Sequence, residues 1–258
     1  MNREQMLDLF NKHMRIEITY PGYRVERNAT VIRQISSTSE PGFVLFSQMD
    51  ESNADAVIDE QISYFSNLNQ PFEWKVFDYD QPKSLKEKLQ ARGFTIEDQE
   101  ALMVFDLTEG EQLLNMPVQP EIKRITDEQG IYEIVRLEEE IWNVSHQELG
   151  ERLVKELHDN LSGLHVYGAF VADRVVSAAW MYLHEGTPFA SLWGGSTLPE
   201  FRKRGFYSSL LVIRAREAAS RGYRLLMVDA SSMSQPILEK QGFQCLAYST
   251  PCMSQAFE

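Results

Sequence analysis

Two stretches of this 258-residue chain carry one series of features in one order, about 150 residues apart. The first is an apolar run at Trp74–Phe77, then Asp78, Pro82, Leu89 and Gly93-Phe94. The second is Leu226–Val228, then Asp229, Pro236, Leu238 and Gly242-Phe243. Glycine after a helix is a common C-cap and recurs by chance. Five features in a fixed order instead predict an internal duplication. The offset is too long for a solenoid, so the chain is expected to build two related domains. Its length fits, at roughly 1.7 domains of about 150 residues.

The C-terminal half reads as β α α β β β α β α β. It has a strand at 121–125 and a helix over 127–142, with helical spacing of Ile131, Ile134, Val135, Leu137, Glu138 and Ile141. A second helix is expected over about 146–161. Strands follow at 164–172, 175–184 and 189–197, the first two joined by a tight turn at Asp173-Arg174. A helix over 205–221 is stopped by Gly222. A strand at 223–229, continuously apolar from Leu225 to Val228, reads as covered on both faces. A short helix ending at Gly242 has a capping-box signal in Ser232 and Gln235, and Phe243 starts the last strand. The N-terminal half reads as strands at 23–35 and 43–47, a helix at 53–68, a strand at 72–77, a helix at 82–92 and a strand pair ending near Leu107. Residues 108–120, with two prolines and little periodicity, read as a linker. The domains are thus expected at 1–115 and 119–258.

Composition bounds the function. With 43% hydrophobic and 24% charged residues the chain is of ordinary globular type. Its net charge of −13 makes broad nucleic-acid contact a poor expectation. The longest nearly apolar run, 175–183, is too short to span a bilayer, and the N-terminus lacks an apolar signal region. The two cysteines, Cys245 and Cys252, match neither a disulfide framework nor a zinc signature. The five histidines make no paired metal motif. A cytoplasmic protein without a metal, without nucleic-acid or membrane partners, is therefore expected; oligomerisation is open. The charge is uneven. Residues 1–118 hold 11 basic and 20 acidic residues, and residues 119–258 hold 14 and 18.

The most informative segment is Trp193–Leu211, WGGSTLPEFRKRGFYSSLL. A strand ends in Gly194-Gly195, a loop brings Arg202, Lys203 and Arg204, and Gly205 opens a helix. The first N–H groups of a helix are unsatisfied and partly positive, and a glycine lets an anion approach the backbone. Residues 196–224 hold seven basic and two acidic residues, a local +5. A pyrophosphate suits such a place, although an ordinary helix start behind a basic loop is also compatible. Neither the Walker loop nor the dinucleotide fingerprint is present.

Here the sequence resembles the GCN5-related N-acetyltransferases (GNAT). Their cofactor motif, Q/R-x-x-G-x-G/A, is matched by Arg202-Lys203-Arg204-Gly205-Phe206-Tyr207 except at Tyr207. The resemblance covers about residues 120–258 well and 22–107 in outline, as in tandem members with a degenerate first domain. It implies an α/β (α+β) fold of two tandem GNAT-like domains, each a mixed, mainly antiparallel sheet flanked by helices. It implies acetyl-CoA as cosubstrate, in a cleft where the fourth and fifth strands of the domain part. Ser196, Thr197 and Leu198 would offer backbone groups to the pantetheine and acetyl carbonyl. Arg202, Lys203, Arg204, Gly205, Phe206, Tyr207 and Ser208 would surround the pyrophosphate, and Ser231 sits where many members have a cofactor-contacting Asn. One position departs from the pattern: where many members place a Tyr that protonates the leaving thiolate, this chain has Leu238. Another group, water or no acid at all is then required; Tyr207 and Tyr248 are the candidate phenols, and Glu185 the candidate base. The N-terminal counterpart loop, Ser47–Asp55, has no glycine and several acids, so one CoA site per chain is expected.

The leading expectation is an acetyl-CoA-dependent N-acetyltransferase acting on a primary amine of a small molecule or protein by direct attack. The alternative is a non-catalytic regulatory module that binds CoA or acyl-CoA. A third class, with aminoacyl-tRNA as donor, is disfavoured by the acidic surface.

Overall fold

The computed structural model describes residues 1–38, 40–159 and 163–257. In chain order the elements are α1 (Arg3–Phe10), β1 (Tyr23–Arg27), β2 (Val31–Ser36), β3 (Gly42–Ser47), α2 (Ala54–Asn67), β4 (Phe72–Phe77), α3 (Leu85–Gln90), β5 (Thr95–Ile96) and β6 (Glu100–Asp106). They continue with α4 (Glu111–Leu114), β7 (Ile122–Ile125), α5 (Glu128–Trp142), α6 (Gln147–His158), β8 (Leu164–Val171), β9 (Arg174–Leu183) and β10 (Phe189–Thr197). The last are α7 (Phe206–Ser220), β11 (Leu225–Ala230), α8 (Gln235–Lys240) and β12 (Gln244–Met253). The expected end of the second helix near Leu161 lies outside the described residues. The chain forms a mixed α/β fold with mainly antiparallel sheet, in two compact units: residues 1–103 with 229–258, and 104–228.

In the first unit the strand order is β1-β2-β3-β4-β12, with β5 also on β12. The expected strand over 23–35 is a hairpin, because Asn28 turns the chain: its Oδ1 accepts the N–H groups of Thr30 and Val31. β3 and β4 are parallel, joined by α2, whereas β12 is antiparallel to β4, with Cys252 opposite Trp74. Val44, Ile58, Phe65, Phe72, Trp74, Leu89, Phe94 and Cys252 share one core. Phe65 and Phe72 stack with centroids 4.2 Å apart.

The internal echo has a physical basis in this unit. Gly93 and Gly242 have φ of +85° and +93°, the left-handed conformation that glycine adopts without strain. In each case the next residue, Phe94 or Phe243, donates its N–H back to the carbonyl of Leu89 or Leu238, at 3.2 and 3.1 Å. All four apolar side chains are buried. Each helix therefore ends in the same Schellman-type cap, whose hydrophobic contact joins the residue after the glycine to one three positions inside the helix.

The sequence pattern misses the N-terminal helical segment. Asn2 and Gln5 form a reciprocal capping box that starts α1. The chain then winds as a π-type helix over Asn11–Glu17. It carries Arg15 inward, where the guanidinium contacts both Asp80 carboxylate oxygens at 3.0 and 2.8 Å. The same group lies 4.3 Å from the Phe77 ring centroid, and its Nε donates to the Leu45 carbonyl.

Two local expectations need correction. The short helix α8 starts after Ser234, and Ser232 takes no part in a capping box. The turn closes earlier, through N–H groups of Ser234 and Gln235 donated to the Ser231 carbonyl. Residues 108–120 are not an open linker. Asp106 Oδ1 caps a 3₁₀ turn at Leu107–Glu109, α4 follows, Leu113 is buried, and Arg216 holds the carbonyls of Leu114 and Met116.

In the second unit the order is β11-β10-β9-β8-β7. β10 and β11 are parallel through α7; the other pairs are antiparallel. Ala178 and Trp180 of β9 pack with Ile131, Ile134, Leu137 and Leu153 of α5 and α6. Ala179, between them on the opposite face, packs with Leu210 of α7. Asp127 Oδ1 caps α5 by accepting the Gly130 N–H.

Removing one partner of a buried ion pair strands the other charge, which costs about 3–5 kcal/mol. Asp80→Ala should therefore lower the unfolding free energy of the chain by about that amount in urea titration. A loss below about 1 kcal/mol would show that Arg15 is held by its aromatic and carbonyl contacts alone.

Candidate functional site

The strands β10 and β11 pair over three positions, from Phe189↔Leu225 to Ser191↔Met227. β10 then runs on to Thr197. On its other side it stays paired with β9, through a bulge between Gly194 and Ser196. Both glycines are left-handed, with φ of +69° and +89°. A Cβ at Gly194 would come within 2.5 Å of the Trp180 ring, and one at Gly195 within 2.9 Å of the Tyr207 ring. The bulge thus requires glycine both for its backbone and for the two aromatic rings pressed against it.

Beyond the bulge the chain makes a 3₁₀ turn at Pro199–Phe201 and enters α7 through Gly205, φ +89°. No side chain caps this helix. A helix leaves its first N–H groups without carbonyl partners; here these belong to Phe206, Tyr207 and Ser208, whereas the Ser209 N–H reaches the Gly205 carbonyl. Lys203 is also left-handed, φ +61°. Arg202, Lys203, Arg204 and Gly205 are exposed. Arg202 Nε donates to the Thr197 carbonyl, and the Arg204 guanidinium lies 4.8 Å from the Phe201 ring centroid. The structure therefore brings Ser196 through Ser208 into one continuous strand, turn and helix start.

The wider basic island is smaller than its count of charges. Arg216 is spent on backbone carbonyls, Arg221 on Glu217 and Arg224 on Asp106. Arg214 is buried, and its hydrogen bonds go to the carbonyls of Leu210, Trp180 and Trp193. Burial pulls this guanidinium down to about 10. Of the seven cations, the consecutive three before Gly205 remain to meet an anion at the helix start.

Leu198 departs from its expected use. Its N–H already donates to the Val176 carbonyl, and its own carbonyl accepts from Phe201. Ser196 and Thr197 are tied to Ser177, which contacts the Ser196 carbonyl and the Thr197 hydroxyl, both at 2.7 Å. Glu185 lies in the exposed turn between β9 and β10. Phe189 to Ser196 is seven strand steps of about 3.3 Å, so the start of β10 and its bulge are far apart. Tyr207 is half-buried under the bulge, and burial pushes its phenol up, against the pull of Arg214. Ser231 and Tyr248 belong to the first unit. There Ser231 turns the chain into α8, and the Tyr248 hydroxyl accepts from Gln235 Nε2 at 3.3 Å.

Sequence reasoning missed a carboxylate in this region. Glu138 of α5 is 4% exposed. Its Oε2 accepts from Ser196 Oγ at 2.7 Å and from Trp142 Nε1 at 2.9 Å. Its Oε1 is buried with no hydrogen-bond partner among the described residues. Burial pushes this carboxyl up, and the hydrogen bonds from Ser196 and Trp142 and the field of His146 only partly offset that. The available signal was a glutamate within the apolar stripe of a helix.

A sequence profile described as Acetyltransferase (GNAT) domain matches residues 110–229. This segment is a GNAT domain. A GCN5-related N-acetyltransferase from Kribbella flavida is 9% identical, with 98% of this chain and 93% of that one covered at a TM-score of 0.66. A functionally unknown conserved protein from Staphylococcus epidermidis gives 15% identity, 93% and 99% coverage and a TM-score of 0.67. A tandem GNAT protein from the clavulanic acid biosynthesis pathway gives 11%, 94% and 86%, and 0.62. At these identities the likeness is one of fold. No curated protein matches the chain significantly. Within the matched segment, β10 and β11 are the parallel pair whose ladder stops at Ser191, and α7 joins them.

The N-terminal counterpart loop is built differently. Asp50 Oδ1 accepts the N–H and hydroxyl of Ser52, which hold this exposed carboxyl below its ordinary range. A carboxylate occupies the kind of strand-to-helix turn that in the second unit carries Arg202, Lys203, Arg204 and Gly205.

Next to the bulge, Ser191 Oγ lies 2.8 Å from both His184 Nε2 and Trp193 Nε1. Burial pulls His184 down to about 4. The unfolded imidazole takes a proton near pH 6.5, but the folded one only near pH 4. Stability should therefore fall as pH drops through that window. His184→Asn should remove this share, read as the difference between the two unfolding profiles from pH 7 to 4. Parallel profiles would show that His184 titrates normally.

Proposed function

We propose that the chain is an acetyl-CoA-dependent N-acetyltransferase that moves an acetyl group to a primary amine by direct attack. The observation that carries this reading is the uncapped start of α7 behind three consecutive basic residues, next to a strand that extends past its parallel partner. Gly205 offers a bare backbone where any Cβ would crowd Gln119, whose Nε2 holds the Arg204 carbonyl at 2.6 Å. Free N–H groups, positive helix end and adjacent cations suit a pyrophosphate. When bound, acetyl-CoA supplies the acetyl group as a thioester.

The residues divide this work. The N–H groups of Phe206, Tyr207 and Ser208 would hold the pyrophosphate, with Arg202, Lys203 and Arg204 around it. Ser196 and Thr197 would flank the pantetheine arm. Leu198, fully engaged with its neighbours, serves this cleft through packing. Among the described residues no group of His, Cys, Asp and Glu gathers as a metal would require, and the reading invokes none. The sequence domains 1–115 and 119–258 are proposed as the duplicated units of descent, with one CoA site in the second. We further infer a cytoplasmic setting from the free thiols of Cys245 and Cys252.

Gly205→Glu puts a carboxylate and a strained φ at the phosphate site. It should abolish CoA binding by calorimetry while the far-ultraviolet spectrum stays that of a folded chain. Unchanged CoA affinity would refute the site. Tight CoA binding by the unaltered protein, with no thiol release on any primary amine, would favour the regulatory module instead.

A further inference from the structure

We propose that Ser196 and Glu138 form a two-residue proton relay for the acceptor amine, with Ser196 touching the amine and Glu138 behind it as the proton store. The inference rests on the acetyl-transfer reading above and names the base that reading lacks.

The geometry has three parts. Ser196 follows the bulge on β10 and is half-buried, so its hydroxyl lies between the strand edge and the interior. Its proton points to Glu138 Oε2 at 2.7 Å, which leaves the oxygen lone pairs for an N–H donor. Glu138 is enclosed, and no cation pairs with it at hydrogen-bond distance among the described residues. Its Oε1 is an unpartnered buried oxygen, a cost in folding free energy that packing alone does not explain. His146, at the start of α6, has a buried Nε2 that is also without a hydrogen-bond partner among the described residues. It is the titratable group whose field reaches Glu138; the other two neighbours, Ser196 and Trp142, are neutral.

The proton balance closes. An alkylammonium loses one proton to Ser196 Oγ as the serine proton passes to Glu138. The neutral nitrogen then attacks the acetyl carbonyl carbon. A C–N bond forms, the C–S bond breaks, and its electron pair leaves on sulfur, which takes the nitrogen's second proton as a thiol. Glu138 returns its proton to water. Because burial pushes Glu138 up, the relay is competent only above the ordinary carboxylate range near pH 4.3.

The test compares the unaltered chain with Glu138→Gln, Ser196→Ala, the double variant and His146→Gln. Thiol release is read across pH with acetyl-CoA and a panel of 2-phenylethylamine, spermidine and a lysine peptide. CoA affinity is measured in parallel. Loss of a general base costs about 100-fold or more. Each relay variant should lose about that factor in kcat/KM, and the double variant no more than either alone, with CoA affinity kept in Glu138→Gln, which alters no residue assigned to CoA. Glu138→Gln should also erase the acid limb of the pH profile, whereas His146→Gln should keep it and move it upward. Additive losses, activity within threefold, or an acid limb that survives Glu138→Gln and vanishes with His146→Gln would overturn the relay. If Glu138→Gln does not fold, Ser196→Ala alone must show the loss. Turnover of no amine by the unaltered chain, with CoA bound, would instead sink the acetyl-transfer reading and the relay with it.

Discussion

A buried guanidinium underlies the geometry of the GNAT domain. Arg214 reaches from α7 to the carbonyls of Trp180 on β9 and Trp193 on β10, at 3.0 and 3.2 Å. The second contact lies immediately before the Gly194-Gly195 bulge. A charge removed from water must be repaid by hydrogen bonds, and Arg214 takes them from the backbone. The helix that presents the candidate phosphate site is thereby tied to the strand that would carry the pantetheine. Trp180 and Tyr207 then press on the two glycines from ring contacts that admit no Cβ. Bulge, glycines, arginine and aromatic rings are one mutually dependent set, placed where β10 runs on beyond its pairing with β11.

What the sequence discloses depends on how local the physics is. The paired caps are written in six consecutive positions, from Leu89 to Phe94 and from Leu238 to Phe243, and the structure builds both with one hydrogen-bond pattern. The elements of the second half are local too, and their ends fall within a few residues of expectation. The N-terminal helical segment was only partly local: its capping box and its stripe of Met6, Phe10 and Met14 stood in the sequence unread, whereas the Arg15 contact with Asp80, 65 residues away, lies in no motif window. The Ser196–Glu138 contact spans 58 residues, so no motif window contains it. Only the intrusion of Glu138 among Ile131, Ile134, Val135 and Ile141 marked it.

Charge counts behave in the same way. The +5 island is a sum over sequence, and the fold spends Arg214, Arg216, Arg221 and Arg224 on carbonyls and carboxylates. The consecutive Arg202, Lys203 and Arg204 keep their meaning because they flank a helix start. The last strand shows the limit of a linear cut. β12 pairs with β4, and Cys252 enters the core of Phe72 and Trp74. The duplicated units proposed at 1–115 and 119–258 are units of descent, and the compact units divide elsewhere.

Leu238 and Tyr207 together constrain the fate of the leaving sulfur. Leu238 accepts the Phe243 N–H in the Schellman cap and is 1% exposed, so its position is committed to the interior. A phenol there would be at odds with that cap. Tyr207 is the phenol nearest the bulge, but burial pushes it above its ordinary value of 10.0. A thiol titrates near 8.5, so a proton would pass from Tyr207 to the thiolate only uphill. Tyr207 is therefore suited to donate a hydrogen bond while keeping its proton. The sulfur must then be protonated from elsewhere, and the attacking nitrogen carries a surplus proton at that moment. A site that removes only the first proton through Ser196 and Glu138 has no need of the missing tyrosine.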